Sequence, residues 1–402
     1  MEILRSLGIR GGIYRLIRYR MGAGRPGVQR RDSARESLQT CYRYLNQTGR
    51  SFAAVIQALD GELRQIICIF YLVMRALDTV EDDMTITLET RIHMLRSFHT
   101  FLYDPEWRFT GTNDKCGQLL EDFPTISAEF RNLASVYQEI IADTCRRSGA
   151  GLARFLEQKV KTLQEWDDYG HYSFGLVDMG YYCVCAAFEQ KDALIEQDTK
   201  LLNSMGLLMQ KTNTIRDYLE DQVDGREFWP RAVWSKYAMK LSDFSDPENI
   251  VPAVQCLNEL ITNALQHVPD VLTFLSRLRV HCFFTCCAVP HVMAIATLAA
   301  VKIRRGQALK VMMEATNLQA VKAIVLQYAD EIYQKIPRTD PSAHQTQHVI
   351  LSIRKMTTSS ESTVLSSHSS SIYLSCAMLV AAVGYLYLCS ESLVLDEIHE
   401  SQ

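Results

Sequence analysis

The chain has 402 residues, of which 48% are hydrophobic, 22% charged and 9% aromatic, a balance that excludes wholesale disorder and collagen-like or low-complexity classes. Forty-two Lys and Arg against 46 Asp and Glu leave a net charge of −4, so no global basicity draws the protein to nucleic acid. Its 12 cysteines are scattered among apolar residues and read as reduced thiols, not as a disulfide scaffold.

Residues 1–32 form a basic arm. Positions 1–31 carry eight Arg against one Glu, with no apolar run long enough for a secretory signal; such an arm suits contact with anionic lipid. Gly22, Gly24 and Gly27 formally match a dinucleotide fingerprint, but Arg-rich sequence precedes them and Pro26 interrupts them, so no strand–turn–helix is expected there.

From 33 to 340 the pattern is helical. Proline is scarce, Asn-Gly hairpin signals are absent, and the apolar runs 51–77, 125–146, 199–216 and 286–300 exceed strand length. Ile66–Met74 is apolar on nearly all sides and belongs to a central helix. That helix ends in Arg75-Ala76-Leu77-Asp78-Thr79-Val80-Glu81-Asp82-Asp83. Tyr71, Arg75, Asp78 and Asp82 share one face of it. Farther on, Glu165–Tyr172 is a polar-aromatic stretch whose tyrosines suit proton relay. A second apolar helix ends in Ile215-Arg216-Asp217-Tyr218-Leu219-Glu220-Asp221, and Gln210, Asn213, Asp217 and Asp221 line one face. Pro230 and Pro252 suit first turns of later helices. The expected fold is all-α, a helical bundle built around core helices.

The C-terminal region changes character. Residues 341–370 read as a tether, since ten of the fifteen residues Met356–Ser370 are Ser or Thr. Residues 371–390 read as a transmembrane helix: the 18 residues Ile372–Cys389 carry no charge and span about 27 Å as a helix. Arg354 and Lys355 before it and the acidic tail 391–402 after it place the large N-terminal part in the cytosol.

Two D-x-x-E-D stripes on greasy helices point to a hard divalent cation and a polyanion. Mg²⁺ prefers oxygen ligands and leaves positions open to phosphate oxygens. Arg75 and Arg216 suit the same anion. A departing diphosphate leaves a carbocation, which needs a dry apolar cavity with aromatic faces; Phe52, Phe70, Phe174 and Phe284 are candidates.

On these residues the chain closely resembles the eukaryotic squalene synthases. The likeness extends through Tyr44–Thr48, Ser51–Glu62, Phe70–Thr85, Glu121–Ser127, Met205–Asp221, Arg226–Pro230 and Val292–Ala300. The resemblance implies the all-α isoprenoid-synthase fold with one large cavity. It also implies head-to-head condensation of two farnesyl diphosphates to presqualene diphosphate, then reduction by NADPH to squalene. Asp78, Asp82, Asp217 and Asp221 are then the Mg²⁺–diphosphate ligands. Arg50, Ser51, Phe52, Tyr71, Arg75, Gln210, Asn213 and Arg216 form the substrate shell, Tyr169 is the catalytic tyrosine of the first half-reaction, and Lys302 and Arg304 contact NADPH. The implied setting is the endoplasmic-reticulum membrane, with lipid held through the C-terminal anchor; no protein partner is inferable.

Four departures stand against the family pattern. Phe174 replaces a small residue and Asp178 a glycine in the segment after Tyr169. Cys286 stands where an aromatic is usual. Ala300 runs straight into Val301, where relatives carry about ten more residues, an unusually short connection. They raise an alternative: a partially active or catalytically weak relative that binds prenyl diphosphate at the membrane.

Overall fold

The chain is seen in a computed structural model that describes residues 35–57, 59, 61–188, 195–278, 281–300, 318–337 and 339–358. Among these residues every regular element is helical, as the helical period and scarce proline predict, and no disulfide forms.

Helix α1 (Glu36–Thr48) buries Cys41, Tyr44, Leu45 and Thr48, an i, i+3, i+4, i+7 stripe, and α2 (Arg50–Gln57) follows after Gly49. Helix α3 (Gly61–Asp82) buries 14 of its 22 residues. No broad polar face is left to turn to water, so it runs through the centre, against α1 and the helices described next. Helices α4 (Leu88–Phe101), α5 (Phe123–Arg131) and α6 (Ser135–Glu157) wrap it. The close approach of α4 and α6 depends on Gly149, where a Cβ would lie 2.1 Å from the Leu95 carbonyl oxygen.

Helix α7 (Leu163–Gly170) passes through one π turn (His171–Gly175) into α8 (Leu176–Phe188). Helix α9 (Ile195–Arg216) packs on the π turn and α8, and α10 (Tyr218–Val223) continues its direction. Helices α11 (Ile250–Leu265), α12 (Val268–Arg277) and α13 (His281–Ala300) close around the other sides of α9. Pro230 directly precedes the short helix Arg231–Trp234, and Pro252 lies in the first turn of α11. Finally α14 (Leu318–Lys335) and α15 (Ala343–Thr358) pack on each other and on the α11–α13 side.

Helix α15 corrects one expectation. The tether expected over 341–370 does not begin at 341, because 343–358 is helical, with Val349, Ile350 and Ile353 buried and Thr346 hydrogen-bonded to Thr262 at 2.6 Å. The Ser/Thr-rich composition begins only in its last turn, and the apolar positions upstream share a helix face. Among the described residues no helix is long and apolar enough to cross a membrane. The arm at 1–32, the apolar segment at 371–390 and the tail at 391–402 lie outside the described residues.

Buried charge ties the layers at α9. Lys211, 1% exposed, donates to Asn263 Oδ1 at 2.6 Å and His267 Nε2 at 2.9 Å, and its Nζ lies 2.5 Å from Asp167 Oδ1. His267 is therefore neutral. Its pKa is pressed down to about 3, first by desolvation and then by the Lys211 and Lys200 charges. A depressed histidine stabilises the fold while uncharged. Its contribution is complete above the ordinary value of 6.5 and is lost as pH falls through it toward the folded value. Between about pH 7.5 and about pH 5.5 the melting temperature of the unmodified protein is expected to fall more than that of His267→Gln. Parallel falls in the two proteins would remove His267 as the source.

Candidate active site

The last turns of α3 carry the first acidic row. At its base the Tyr71 hydroxyl donates to the Thr48 carbonyl at 2.9 Å and accepts from Arg75 Nε at 3.3 Å. The Phe52 ring lies 6.3 Å from the Tyr71 ring. Arg75 Nη1 reaches Asp78 Oδ2 at 3.4 Å. Beyond the row, Asp83 accepts from Thr85 and Thr112 and pins the following loop, which keeps its carboxyl below the ordinary range despite desolvation.

The second row sits where α9 passes into α10. The helix yields at Asp217, yet the Asp221 amide still donates to the Asp217 carbonyl at 2.9 Å, so the two aspartates stay one turn apart. Arg216 holds Asp217 with two bonds, at 2.5 and 2.6 Å. Helix α10 then ends in a Schellman motif: Gly225 takes φ +72°, its amide donates to the Gln222 carbonyl, and the Arg226 amide donates to the Asp221 carbonyl at 2.7 Å. That turn sends Arg226 back over the acids. Its guanidinium meets Asp82 Oδ1 at 2.5 Å, Asp221 Oδ1 at 3.0 Å and Asp224 Oδ2 at 3.2 Å. The two rows, on helices far apart in sequence, thus converge on one cation.

Their mutual repulsion is visible in their proton affinities. Asp221 is pushed up to about 7, first by desolvation, with Arg226 opposing and Asp217 and Asp82 adding to the rise. Asp78 is pushed up to about 6 by desolvation and by Asp82, against Arg75.

Tyr169 stands beside this cluster. Its helix, α7, starts at a capping box in which Thr162 and Glu165 exchange side-chain and backbone bonds. The Tyr169 ring stacks on Phe228 at 4.9 Å and meets Phe155 edge-on. Its hydroxyl donates to Glu81 Oε1 at 3.1 Å. Both groups are buried. Burial, then Asp82 and Asp78, raise the Glu81 carboxyl well above its ordinary value; burial and Glu81 raise the Tyr169 phenol. Arg91 fixes the Glu81 backbone by donating to its carbonyl at 2.9 Å. A carboxylate of raised basicity at the end of a phenol bond can take a proton passed through that phenol.

The structure therefore brings together Asp82, Asp221 and Tyr169, with Tyr71, Arg75 and Asp78 on the same α3 row and Arg216 and Asp217 on the other. Gln210, largely buried, packs at Gly170 next to Tyr169, and Asn213 lies one turn before Asp217. Arg50 and Ser51 begin α2. Lys302, Arg304 and the Val301 side of the short junction lie outside the described residues. Sequence reasoning assigned no role to Glu81, Arg226 or Phe228. For Glu81 a signal existed, since D-x-x-E-D recurs with Glu220. Phe174 lies in the π turn, and Asp178 in the first turn of α8 with Oδ2 buried and unpartnered among the described residues. Desolvation raises Asp178 to about 7. Cys286, on α13, lies near the Tyr181 hydroxyl of α8.

The donors suit Mg²⁺. They are oxygens only, from two helices, held together against their own repulsion. Among the described residues no three His, Cys, Asp or Glu side chains form a closed metal cage. Mg²⁺ does not need one, since it takes one or two carboxylates and completes its shell with water and phosphate oxygens.

Paired acidic helix ends beside a buried tyrosine, on an all-helical body, define an all-α prenyltransferase. The family model for squalene/phytoene synthase matches residues 45–320. The chain is 56% identical to the squalene synthase of Homo sapiens over 99% of this chain and 98% of that one. It is 55% identical to that of Mus musculus, covering 99% of each, and 39% identical to squalene synthase 3 of Panax ginseng over 87% of this chain and 89% of that one. Among solved structures, TcSQS with the ligand E5700 superposes with a TM-score of 0.76 at 38% identity, over 80% of this chain and 98% of that chain. The chain belongs to the squalene/phytoene synthase family. The alternative of a weak prenyl-diphosphate binder draws no support from these relatives.

Gly206 of α9 sets how closely the π turn approaches. A Cβ there would lie 2.4 Å from Gly175 N and 2.7 Å from Phe174 C. Both are backbone atoms, so Gly206→Ala must separate α9 from the column that carries Tyr169. A destabilisation of about 1–3 kcal/mol in denaturant unfolding and a loss of turnover of at least about tenfold are expected. Unchanged stability and turnover would show that this contact can relax freely.

Proposed function

We propose that the protein is a squalene synthase. It joins two farnesyl diphosphates head to head into presqualene diphosphate and reduces that product to squalene with NADPH. The observation that carries the reading is the convergence of Asp82 and Asp221 on Arg226 beside Tyr169, in a chain 56% identical to a squalene synthase over nearly its whole length.

Asp78 and Asp82 on one row, and Asp217 and Asp221 on the other, would hold Mg²⁺ and through it the diphosphates. Mg²⁺ held there would supply charge that neutralises a diphosphate and makes it a leaving group. Arg75, Arg216 and Arg226 add fixed positive charge at the same end. Gln210, Asn213 and Tyr71 are the proposed polar shell, with Arg50 and Ser51 assigned to it by the family resemblance alone, and Phe52 is the proposed start of the apolar wall. Closing the cyclopropane of presqualene diphosphate releases one proton from carbon. Tyr169 accepts it while passing its own hydroxyl proton to Glu81, so the phenol stays neutral throughout. The bond from the Tyr169 hydroxyl to Glu81 Oε1 suits Glu81 to this role. For the second half-reaction NADPH supplies hydride, and Lys302 and Arg304, just past α13, are its proposed contacts. The apolar segment 371–390 is the proposed tail anchor in the endoplasmic-reticulum membrane, with the helical body in the cytosol.

The test is product analysis of the full chain in detergent with farnesyl diphosphate and Mg²⁺. Squalene is expected with NADPH, and presqualene diphosphate without it; neither product at any Mg²⁺ concentration would overturn the reading. Asp82→Asn or Asp221→Asn should lower turnover by at least about 100-fold with helicity unchanged. Tyr169→Phe should lower presqualene diphosphate formation by about 10²–10⁴-fold, and near-normal formation would reassign the proton relay.

A further inference from the structure

Among the described side chains of α9, Lys211 is the one that carries a buried charge outside the acidic row, and nothing in the proposed chemistry uses it. It lies between Gln210 and Asn213 on the chain, but its side chain points away from the diphosphate end. Its ammonium group donates to Asn263 Oδ1 at 2.6 Å and His267 Nε2 at 2.9 Å and forms an ion pair with Asp167 Oδ1 at 2.5 Å. It also sits 4.9 Å from the centre of the Trp166 ring. Trp166 and Asp167 belong to α7, three and two residues before Tyr169; Asn263 is on α11 and His267 in the turn to α12.

The partners differ in how firmly they are held. Helix α9 has 22 residues and packs on α8, α11, α12 and α13, whereas α7 has eight. Two helical turns are too short to hold themselves. The start of α7 is fixed by its capping box, and near its end Gly170 abuts Leu207. Between these points the Trp166 ring is fully buried, but apolar contact is not directional. The Lys211 bonds to Asn263 and His267 are directional and fix where its ammonium sits; among the described residues its ion pair with Asp167 is the side-chain polar contact that joins the middle of α7 to α9, while His171, just after α7, meets Asn203 of α9 at 2.7 Å.

Replacing a buried charge and its partner by apolar groups is often neutral or stabilising, and Asp167 is only partly buried, so stability gives little reason for a lysine here. Orientation gives one. The Tyr169 hydroxyl must meet Glu81 Oε1 from a helix different from that of Glu81, and a misplacement of about 1 Å costs on the order of 100-fold in rate.

We propose that Lys211 is a positioning residue for Tyr169: by clamping Asp167 and Trp166 it fixes α7 against α9 and so places the tyrosine hydroxyl on Glu81 beside the converging acids. The inference rests on the squalene synthase reading of the site. It assigns Lys211 to the first half-reaction alone, because the second starts from presqualene diphosphate, after the proton relay has acted.

The test measures both half-reactions of the full chain in detergent. The first uses farnesyl diphosphate and Mg²⁺ without NADPH; the second uses supplied presqualene diphosphate with NADPH. For Lys211→Met, kcat of the first should fall about 10–100-fold with KM for farnesyl diphosphate within about twofold, while the second stays within about twofold of the unmodified protein. Asp167→Asn should show the same selective loss to a smaller extent, and Lys211→Met/Asp167→Asn should be no slower than Lys211→Met alone. Two half-reactions falling together, or neither changing, would overturn the positioning role. Should Lys211→Met not fold, Asp167→Asn decides by the same split, since Asp167 is 34% exposed and the change keeps an oxygen acceptor. Unmodified protein that forms neither product would instead remove the functional reading itself, so the two failures are distinct.

Discussion

Carboxylates that repel one another are held together at one end of this helical body, and the rest of the architecture serves that constraint. Like charges brought close in a partly desolvated place repel by a few kcal/mol. Free helices would rotate to relieve it. Helix α3 does not, because it is buried on nearly every side, and turning its acidic row away would drag Ile66, Leu72 and Leu77 out of the core. Helix α9 is fixed in the same way by the helices on all its flanks. Apolar burial, which has no direction of its own, here fixes the direction of the charges. Arg226 then meets Asp82 and Asp221 together, and the turn at Gly225 makes that return possible.

The rows themselves were legible in the sequence, because helical spacing places Asp78 with Asp82 and Asp217 with Asp221 whatever the tertiary structure. The all-helical body was legible for the same reason. Local pattern does not carry partnership across the fold. Arg226 and Asp82 are 144 positions apart, and Tyr169 and Glu81 are 88; no period links them. Lys211 is harder still, since a lysine in an apolar run reads as a break in the greasy face until Asp167, Asn263 and His267 are seen around it. The helix over 343–358 is obscured in the sequence by the Ser- and Thr-rich residues that follow it, although Val349, Ile350 and Ile353 share one helical face.

The raised acids differ in what they meet. Asp78 and Asp221 are raised first by desolvation, with neighbouring acids adding to the rise, and each lies beside an arginine. Glu81 is raised too, but it accepts a bond from a phenol and has Arg91 on its backbone. It faces inward from the same turn of α3 whose other acids face Arg75 and Arg226. One helical turn thus separates groups suited to metal from a group suited to a proton, because a step of one residue rotates a side chain by about 100°.

The same rotation explains the column formed by α7, the π turn and α8. A π turn inserts one residue into an otherwise α-helical run, so everything after it is turned relative to everything before it. Tyr169, before the turn, meets Glu81 and the acids. Tyr181, after it, meets Cys286 of α13. The inserted residue widens the column where Gly175 receives Gly206, and α9 comes close enough to serve both ends. Phe174 and Asp178 lie in and just beyond the turn, and Cys286 faces the segment beyond it. The departures from the family pattern seen in the described residues therefore fall within the bulge or beyond it, counted from Tyr169. The acidic rows and the tyrosine that meets Glu81 lie outside this set of departures, because the turn that carries Phe174 begins only after Tyr169 and Gly170.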